Sequence, residues 1–226
     1  MDVTKARARA ALDTGVEPVG TYRFGDSAAL SDELLDLVLR GPKRATAFAE
    51  ADVEQGGAPY PEPGQHWLLL DGAGQAHCVA RVDQVAGGPL YTVDAAFAWE
   101  TGWRNRTRAA WIAAHEAYLR RQGFTDLESE RVLFIRFSVV WPEADEPRWW
   151  APGVRELRGH EPAPDSPRPD LPALAAFDGE RVTGVLRFEP EPGDLRLVAV
   201  VADDAGVESR LREALEQRRR ADRAVR

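Results

Sequence analysis

The chain has 226 residues, of which 44% are hydrophobic, and it carries a formal net charge of -8 at pH 7. This length can bury one good hydrophobic core and a second small one, so we expect one domain with an appendage. The negative charge argues against a protein that coats nucleic acid non-specifically, because that binding mode rests on summed positive charge against phosphates. A local basic cleft remains compatible with this balance.

The cysteine and histidine content bounds the chemistry further. Cys78 is the only cysteine, which excludes an internal disulfide and a cysteine metal cluster. The four histidines have no metal-ligand spacing, so we expect no metal site: His66, His77, His115 and His160. No apolar run approaches the roughly 18 residues of a membrane span, and the first residues lack a signal-peptide pattern. We therefore expect a cytoplasmic protein with no membrane partner.

Taken in chain order, residues 1–20 are polar and rich in Ala and Arg, and we expect an N-terminal arm or a frayed helix there. Residues 26–40 place leucines close to the i, i+4 and i+8 spacing of an amphipathic helix. Ser31 is the expected cap, with acidic residues beside it in the first turn. Gly41 is expected to adopt a positive φ just past the last turn.

The turn at residues 41–46, Gly-Pro-Lys-Arg-Ala-Thr, is the most site-like segment of the sequence. Lys43 and Thr46 lie three residues apart just past the predicted helix, so one ordered turn can present both side chains to a cleft. A lysine at this position is also favourable simply because it faces the negative end of the helix dipole. Thr46 is equally suited to the start of a strand.

The residues that follow predict a β-rich domain with inserted helices. We expect strands at 45–53, 66–71, 76–82 and 131–141, with 66–71 and 76–82 joined as an antiparallel pair. A short helix at 93–99 capped by Asp94 and a longer one at 107–121 separate the later strands. The pattern predicts an α+β fold in which a small mixed β-barrel at residues 21–142 carries flanking helices.

The composition changes at residue 143. Residues 143–172 are rich in Pro, Asp and Glu, which predicts a linker or wrapping segment. Trp149 and Trp150 within it are expected to dock on a surface, because two adjacent indoles are costly in water. Residues 173–226 predict a small C-terminal unit with strands at 181–188 and 195–201 and a helix at 209–220.

Residues 22–141 resemble the ASCH family of PUA-like barrels in both the order and the spacing of their landmarks. The landmarks are residues 24–27 (Phe-Gly-Asp-Ser), 34–39 (Leu-Leu-Asp-Leu-Val-Leu), 41–46, 63–64 (Pro-Gly), 69–72 (Leu-Leu-Asp-Gly), 93–100 (Val-Asp-Ala-Ala-Phe-Ala-Trp-Glu), and 136–137 with 139–140 (Arg-Phe, Val-Val). The resemblance implies a role connected with nucleic acids, since ASCH domains look like RNA-binding PUA relatives. Some members hydrolyse N4-acetylcytidine and others cleave RNA.

In the amidohydrolase branch of that family, the resemblance implies a catalytic set at Lys43, Thr46 and Glu100. A threonine hydroxyl needs a base to take its proton, and a desolvated lysine has a lowered pKa that suits this task. Glu100 would then protonate the leaving amine or hold the base in place. The expected nucleoside or RNA contacts are Arg44, Arg81 and Arg136, with Phe48 and Trp103 stacking a base.

Residues 177–220 also resemble, more weakly, the strand-strand-strand-helix order of GNAT-type acetyltransferases. That family binds the pyrophosphate of acetyl-CoA through a glycine-rich loop at a helix N-terminus. Here residues 202–208 hold one glycine and three acids. Because these acids would repel a pyrophosphate, we expect a degenerate remnant that binds neither acetyl-CoA nor any other cofactor.

Three functions remain open from sequence. The first is a cleft at Lys43 and Thr46 that accommodates a nucleoside, nucleotide or RNA and hydrolyses an acylated cytosine amide. The second is a non-catalytic RNA-binding module, which should weaken steeply as salt rises, whereas hydrolysis of a neutral nucleoside should not. The third is a structural or partner-binding protein in which Lys43 has no effect on binding or turnover.

Overall fold

The computed structural model describes residues 1–56, 59–142, 149–158, 161, 163 and 165–224. Within them the chain divides into two compact units. The first unit comprises residues 1–92, 101–103 and 115–146, and the second comprises residues 93–100, 104–114 and 147–226. Parts of the expected Pro-rich linker lie outside the described residues, as does His160. No helix in the described ranges is long and apolar enough to cross a membrane.

The first unit is built on a five-stranded sheet with helices around it. Its elements are α1 (Val3–Thr14), β1 (Gly20–Arg23), α2 (Ala28–Leu39), β2 (Ala45–Ala49), α3 (Glu50–Gly56), β3 (His66–Leu70), β4 (Ala76–Pro89), the second half of α5 (Arg108–Arg121) and β5 (Arg131–Trp141). The strand order is β1-β3-β4-β5-β2. Strand β1 runs parallel to β3, and the other neighbours are antiparallel, including the predicted β3–β4 pair.

The two outer strands of this sheet come together through their side chains. Although β1 and β2 occupy opposite edges, the Tyr22 ring of β1 lies 5.8 Å, centroid to centroid, from the Phe48 ring of β2. Such a contact requires the sheet to curl nearly closed, as the twist of adjacent strands permits. The predicted α+β fold with a PUA-like barrel is therefore confirmed.

The two faces of the sheet hold separate apolar clusters because side chains alternate along each strand. Leu69, Cys78 and Phe137 pack with Phe24 and with α2 on one face. On the other face, α1 packs its alanines against a second cluster: Ala6, Ala10, Leu68, Ala76, Val79 and Trp141. The expected N-terminal arm is thus an ordered helix, which Asp2 caps by accepting from the backbone N–H of Thr4.

Two local predictions for this unit were wrong. Helix α2 falls within the predicted range 26–40, but Ser27 rather than Ser31 caps it, by accepting from the Leu30 N–H. Ser31 is buried and donates to the carbonyl oxygen of Phe24. Strand β2 ends at Ala49, where α3 begins with acidic residues in its first turn, Glu50 and Asp52. Acidic side chains favour a helix start because they complement its dipole.

The second unit is an antiparallel sheet with helices. Its elements are α4 (Ala95–Glu100), the first half of α5, β6 (Trp149–Ala151), β7 (Val154–Leu157), β8 (Ala173–Asp178), β9 (Arg181–Glu191), β10 (Asp194–Ala202) and α6 (Ala205–Ala224). The strand order is β10-β9-β8-β7-β6. The predicted C-terminal strands and helix are confirmed, and the Pro-rich region contributes the two strands β6 and β7. As predicted, Asp94 caps α4, accepting from the Phe97 N–H at 2.6 Å.

Aromatic rings and one buried ion pair fill the core of the second unit. Trp150 lies 5.7 Å from Phe188 and 6.4 Å from Trp99, ring centroid to ring centroid, so this indole docks as expected. The side chain of Trp149 lies outside the described residues. Glu156 accepts from the indole N–H groups of Trp99 (3.2 Å) and Trp150 (3.0 Å) and from Arg106 (3.2 Å). The Arg106 guanidinium stacks 3.4 Å from the Trp99 ring centroid.

An aspartate, Asp204, caps the N-terminus of α6. Asp204 accepts from the backbone N–H of Val207 at 2.9 Å, as a helix cap does. A pyrophosphate would have to displace this carboxylate. The sequence expectation that this unit binds no acetyl-CoA therefore stays a prediction, with a structural reason beside it.

The Glu156 network carries the first testable prediction. Glu156→Ala should destabilise the protein by about 3–5 kcal/mol, because it removes the buried carboxylate that pairs with Arg106 and accepts from two indole N–H groups. The side chains of Arg106 and Glu156 are only 9% and 13% exposed. The matched control is Asp203→Ala, which breaks the Arg181–Asp203 pair in which the side chains are 74% and 49% exposed. Urea unfolding should show a cost below about 1 kcal/mol for the control; equal costs would contradict a buried role for Glu156.

Candidate functional site

The turn between α2 and β2 is held by close backbone packing. The Lys43 N–H donates to the carbonyl oxygen of Leu37 at 3.1 Å, which folds the turn back over the end of α2. The prediction for Gly41 was wrong, since its φ is not positive. A Cβ on Gly41 would lie 2.9 Å from the Leu37 oxygen, so glycine is needed here for close approach.

Lys43 points into the first unit and is only 4% exposed. Its Nζ donates to the carbonyl oxygen of Ala45 at 2.8 Å and to that of Thr101 at 3.4 Å. The same Nζ lies 5.1 Å from the centroid of the Phe24 ring. Among the described residues of the first unit, no carboxylate forms an ion pair with it.

Burial without a carboxylate partner lowers the pKa of Lys43 to about 7. Water no longer solvates the ammonium, and two carbonyls and one ring offset only part of this loss. At neutral pH a large share of the molecules therefore carries a neutral amine at this position. A neutral amine can accept a proton, which an ordinary surface lysine at pH 7 cannot.

Thr46 lies on β2 opposite Ile135 of β5, half-buried. Its hydroxyl lies close enough to the phenol of Tyr22 to affect the pKa of that phenol. Burial raises the pKa of Tyr22 to about 12, with the nearby Thr46 hydroxyl opposing this rise and the charge of Asp52 adding to it. The phenol therefore stays neutral at neutral pH.

A row of aromatic rings runs from Lys43 to Phe48. The Tyr22 ring meets the Phe24 ring edge-on at 5.0 Å between centroids, and Phe24 is the ring below Lys43. Phe48, which we predicted as a base-stacking residue, is half-buried at the other end of this row. The rings make an apolar wall beside the polar groups of Lys43 and Thr46.

The phenol of Tyr118 and the carboxylate of Asp52 lie near Tyr22. The Tyr118 hydroxyl donates to Oδ2 of Asp52 at 3.5 Å. Burial, then the charge of Asp52, raises the pKa of Tyr118 to about 12, and the proximity of Tyr22 adds to this rise. Burial also raises the pKa of Asp52, against the effect of the Tyr118 bond.

Glu100, the third residue of the predicted catalytic set, ends α4 in the second unit and is 8% exposed. It directly precedes Thr101, whose carbonyl accepts from Lys43. Gly102 follows with φ +71, and a Cβ there would lie 2.7 Å from the backbone nitrogen of Lys43. Residues 101 and 102 thus pack directly on the turn that carries Lys43.

The predicted nucleic-acid contacts are each engaged within the first unit. Arg44 donates to the carbonyl oxygens of Val38 (3.0 Å) and Lys43 (2.6 Å) and so helps to close the end of α2. Arg81 pairs at 2.8 Å with Asp83, which is 4% exposed at its side chain. Arg136 donates to Gln84 at 2.9 Å.

Trp103 is half-buried, and its indole N–H donates to Glu33 of α2 at 2.9 Å. This bond ties the segment after Gly102 to the helix that precedes Lys43. Trp103 therefore has a structural role, whether or not it also contacts a ligand.

Sequence reasoning missed Tyr22, Gly102 and the Asp52–Tyr118 pair. Tyr22 lies on a four-residue strand that pairs in parallel with residues 67–70, far away in the sequence. The glycine two residues after Glu100 was a usable signal for close backbone packing. No group of three or more His, Cys, Asp or Glu side chains within the described ranges is arranged to hold a metal ion.

The curled mixed sheet of the first unit is the architecture of a PUA-like barrel, and a buried lysine lies in the turn before one of its edge strands. Comparison with known proteins identifies the group within this class. The family model described as ASCH domain matches residues 20–141, so the chain belongs to the ASCH domain family. No curated protein matched the sequence significantly.

Two solved structures share the fold. One is a high-resolution crystal structure of an ASCH domain from Lactobacillus crispatus, with 22% sequence identity and a TM-score of 0.54, covering 61% of this chain and 93% of that one. The other is the crystal structure of protein EF3133 from Enterococcus faecalis, with 24% identity and a TM-score of 0.51, covering 60% of this chain and 86% of that one. At these identities the comparison supports the fold and carries no function.

Proposed function

We propose that the protein hydrolyses an amide of the N4-acylcytidine type, bound as a nucleoside in a cleft at residues 41–46. The observation that carries this proposal is the buried Lys43, with its pKa lowered to about 7, three residues before Thr46 at the start of strand β2. Acyl transfer needs a nucleophile and a base at neutral pH, and these two groups meet that need. The steps below use only side chains and water.

In the first step the Thr46 oxygen attacks the amide carbonyl carbon, and its proton passes to the neutral amine of Lys43. The carbon–oxygen bond forms as the carbonyl π bond opens to an oxyanion.

In the second step the oxyanion collapses, and the carbon–nitrogen bond breaks. The ammonium of Lys43 gives the leaving nitrogen the proton that it took from Thr46, which releases the cytidine amine and leaves an ester on Thr46. Water then attacks this ester, its proton passing to the neutral amine of Lys43 and from there to the Thr46 oxygen as the carboxylic acid leaves. The net reaction adds one water to one amide.

A small nucleoside fits these observations better than a length of RNA. Phosphate contacts by Arg44, Arg81 or Arg136 would compete with the carbonyl, carboxylate or amide oxygens that these side chains already hold. Cys78 is the only cysteine of the sequence, and we place the activity in a reducing compartment, the cytoplasm.

The test is turnover of N4-acetylcytidine by the wild-type chain and by Lys43→Met and Thr46→Ala. Each substitution should reduce kcat/KM by about 100-fold or more, because it removes the base or the nucleophile. The controls are Lys5→Met and Thr21→Ala, which change exposed residues of α1 and β1 and should leave turnover unchanged. No turnover by the wild-type chain, or equal turnover by Thr46→Ala, would overturn the proposal.

A salt titration separates this function from RNA binding. Affinity for a single-stranded RNA should fall steeply between 50 and 200 mM salt if phosphates dominate the contact, at a slope of roughly -0.7 per phosphate neutralised. Turnover of a neutral nucleoside should change little over the same range. Tight, salt-dependent RNA binding without turnover would favour the RNA-binding module.

A further inference from the structure

Four side chains of the first unit form a second cluster beside Thr46, which we call the aromatic–carboxylate cluster: Tyr22, Phe48, Asp52 and Tyr118. The Tyr22 ring lies 5.8 Å from the Phe48 ring, centroid to centroid, and Phe48 follows Thr46 by two residues on β2. Tyr118 donates to Asp52 at 3.5 Å. The proposed chemistry at Lys43 and Thr46 uses neither Asp52 nor Tyr118.

Asp52 differs from the other carboxylates around it. Asp26 pairs with Arg121 at 2.8 Å, and Glu50 pairs with Arg131 at 2.6 Å. Asp52 has no cationic partner in the described part of the chain, and its one side-chain bond, to Tyr118, is long. A carboxylate has about four lone-pair sites, so Asp52 retains most of its capacity to accept hydrogen bonds.

The carboxylate is exposed, while the rings beside it are half-buried. A ligand that lies on Phe48 and Tyr22 would therefore reach Asp52 with its polar end. A neutral ligand group with two adjacent hydrogen-bond donors suits a carboxylate best, because both oxygens can then accept. A phosphate would be repelled there.

The spacing from Thr46 fits a nucleoside. Three residues of strand separate Thr46 from Ala49, about 10 Å at roughly 3.3 Å per residue, and Asp52 follows in the first turn of α3. An acylcytidine carries its amide at one end and its ribose hydroxyls at the other. With the amide at Thr46, the ribose would extend toward α3.

We propose that Asp52 binds the vicinal diol of the ribose, with Tyr118 orienting the carboxylate and with Phe48 and Tyr22 as the wall for the nucleoside. This inference rests on the proposed function, because it takes the position of the amide from Thr46. It adds Asp52 as the residue that selects a ribonucleoside over a nucleoside without the diol.

Calorimetric binding of cytidine and of 2′,3′-dideoxycytidine tests the inference without turnover. Wild type should bind cytidine about tenfold or more tightly than the dideoxy compound, as expected for hydrogen bonds to a charged group. Asp52→Asn should reduce this preference to about threefold or less, and Tyr118→Phe should reduce it in part. The matched control is Glu130→Gln. Glu130 is another carboxylate near Asp52, and burial raises its pKa as well. This variant should keep the full preference.

Three results would overturn the assignment. One is equal affinity of the wild-type chain for the two compounds, and another is a preference that persists in Asp52→Asn. The third is an equal loss of affinity for both compounds in Asp52→Asn, which would assign Asp52 to the base instead of the ribose. Failure of the proposed hydrolysis is a separate result, because it appears as absent turnover of N4-acetylcytidine while the cytidine preference remains measurable.

Discussion

Lys43→Met should make the protein more stable at pH 6 by on the order of 2–4 kcal/mol, although it should also remove the proposed activity. Burying the ammonium of Lys43 costs folding free energy, as the fall of its pKa from 10.5 to about 7 indicates, at about 1.4 kcal/mol for each pKa unit. Methionine fills a similar volume without a charge. Urea unfolding of both proteins at several pH values measures the difference.

The pH dependence of this difference has a definite sign. Between the folded pKa of about 7 and the unfolded value near 10.4, the unfolded chain binds more protons than the folded chain. The stability of wild type relative to Lys43→Met should therefore rise with pH across this window, by up to about 1.4 kcal/mol per pH unit. The full penalty applies below pH 7 and is lost above about pH 10.

The control for this experiment is the other lysine of the chain, Lys5, which is exposed on α1. Lys5→Met should follow the wild-type curve at all pH values. With only two lysines, the Cε signals are also easily resolved by NMR, and one of them should titrate near pH 7. A wild-type to Lys43→Met difference that stays constant from pH 6 to 10 would contradict the lowered pKa.

Gly102→Ala should destabilise the protein by about 2–5 kcal/mol and disturb the turn at Lys43. Two costs add here: the positive φ of +71, and a Cβ placed 2.7 Å from the Lys43 nitrogen and 2.9 Å from its Cα. Since both atoms belong to the backbone, no side chain can move aside to relieve the clash. The turn itself must shift, so turnover per folded molecule should also fall.

Gly74 is the matched control, because its φ of +77 is nearly the same and a Cβ there meets nothing within 4 Å. Gly74→Ala should therefore show the cost of the positive φ alone, about 1–2 kcal/mol. Chemical unfolding and N4-acetylcytidine turnover of the two variants give the comparison. If both glycines cost the same and both variants retain turnover, residues 101–103 do not hold the Lys43 turn.

The parts of the fold that sequence predicts well are the locally encoded ones. The leucine spacing of α2, the Asp94 cap of α4 and the alternation of β3 and β4 are decided within a few residues. The curl of the sheet is not local, because it depends on strand β1, four residues long, meeting β2 from the other edge. Tyr22 was missed for this reason.

In the candidate site, too, the locally encoded features were predictable and the long-range contacts were not. The spacing of Lys43 and Thr46 was visible in the sequence, but the loss of solvent around Lys43 comes from Phe24 and the Thr101 carbonyl, which are distant along the chain. A glycine was expected at position 41 for its positive φ. The structure requires glycine there for another reason, which is close packing against the backbone of Leu37. Of the arginines predicted as phosphate contacts, Arg136 reaches a partner that is distant along the chain, Gln84, whereas Arg44 and Arg81 bond to groups within six residues.

The most direct test of the central claim is the pH dependence of N4-acetylcytidine hydrolysis by the wild-type chain, with Lys43→Met measured in parallel. If Lys43 is the base, kcat/KM should rise with pH and level off with an apparent pKa near 7, and Lys43→Met should lose both the rise and most of the rate. A rate that is flat through pH 7 in the wild-type chain, or a Lys43→Met variant with the same profile, would contradict the account.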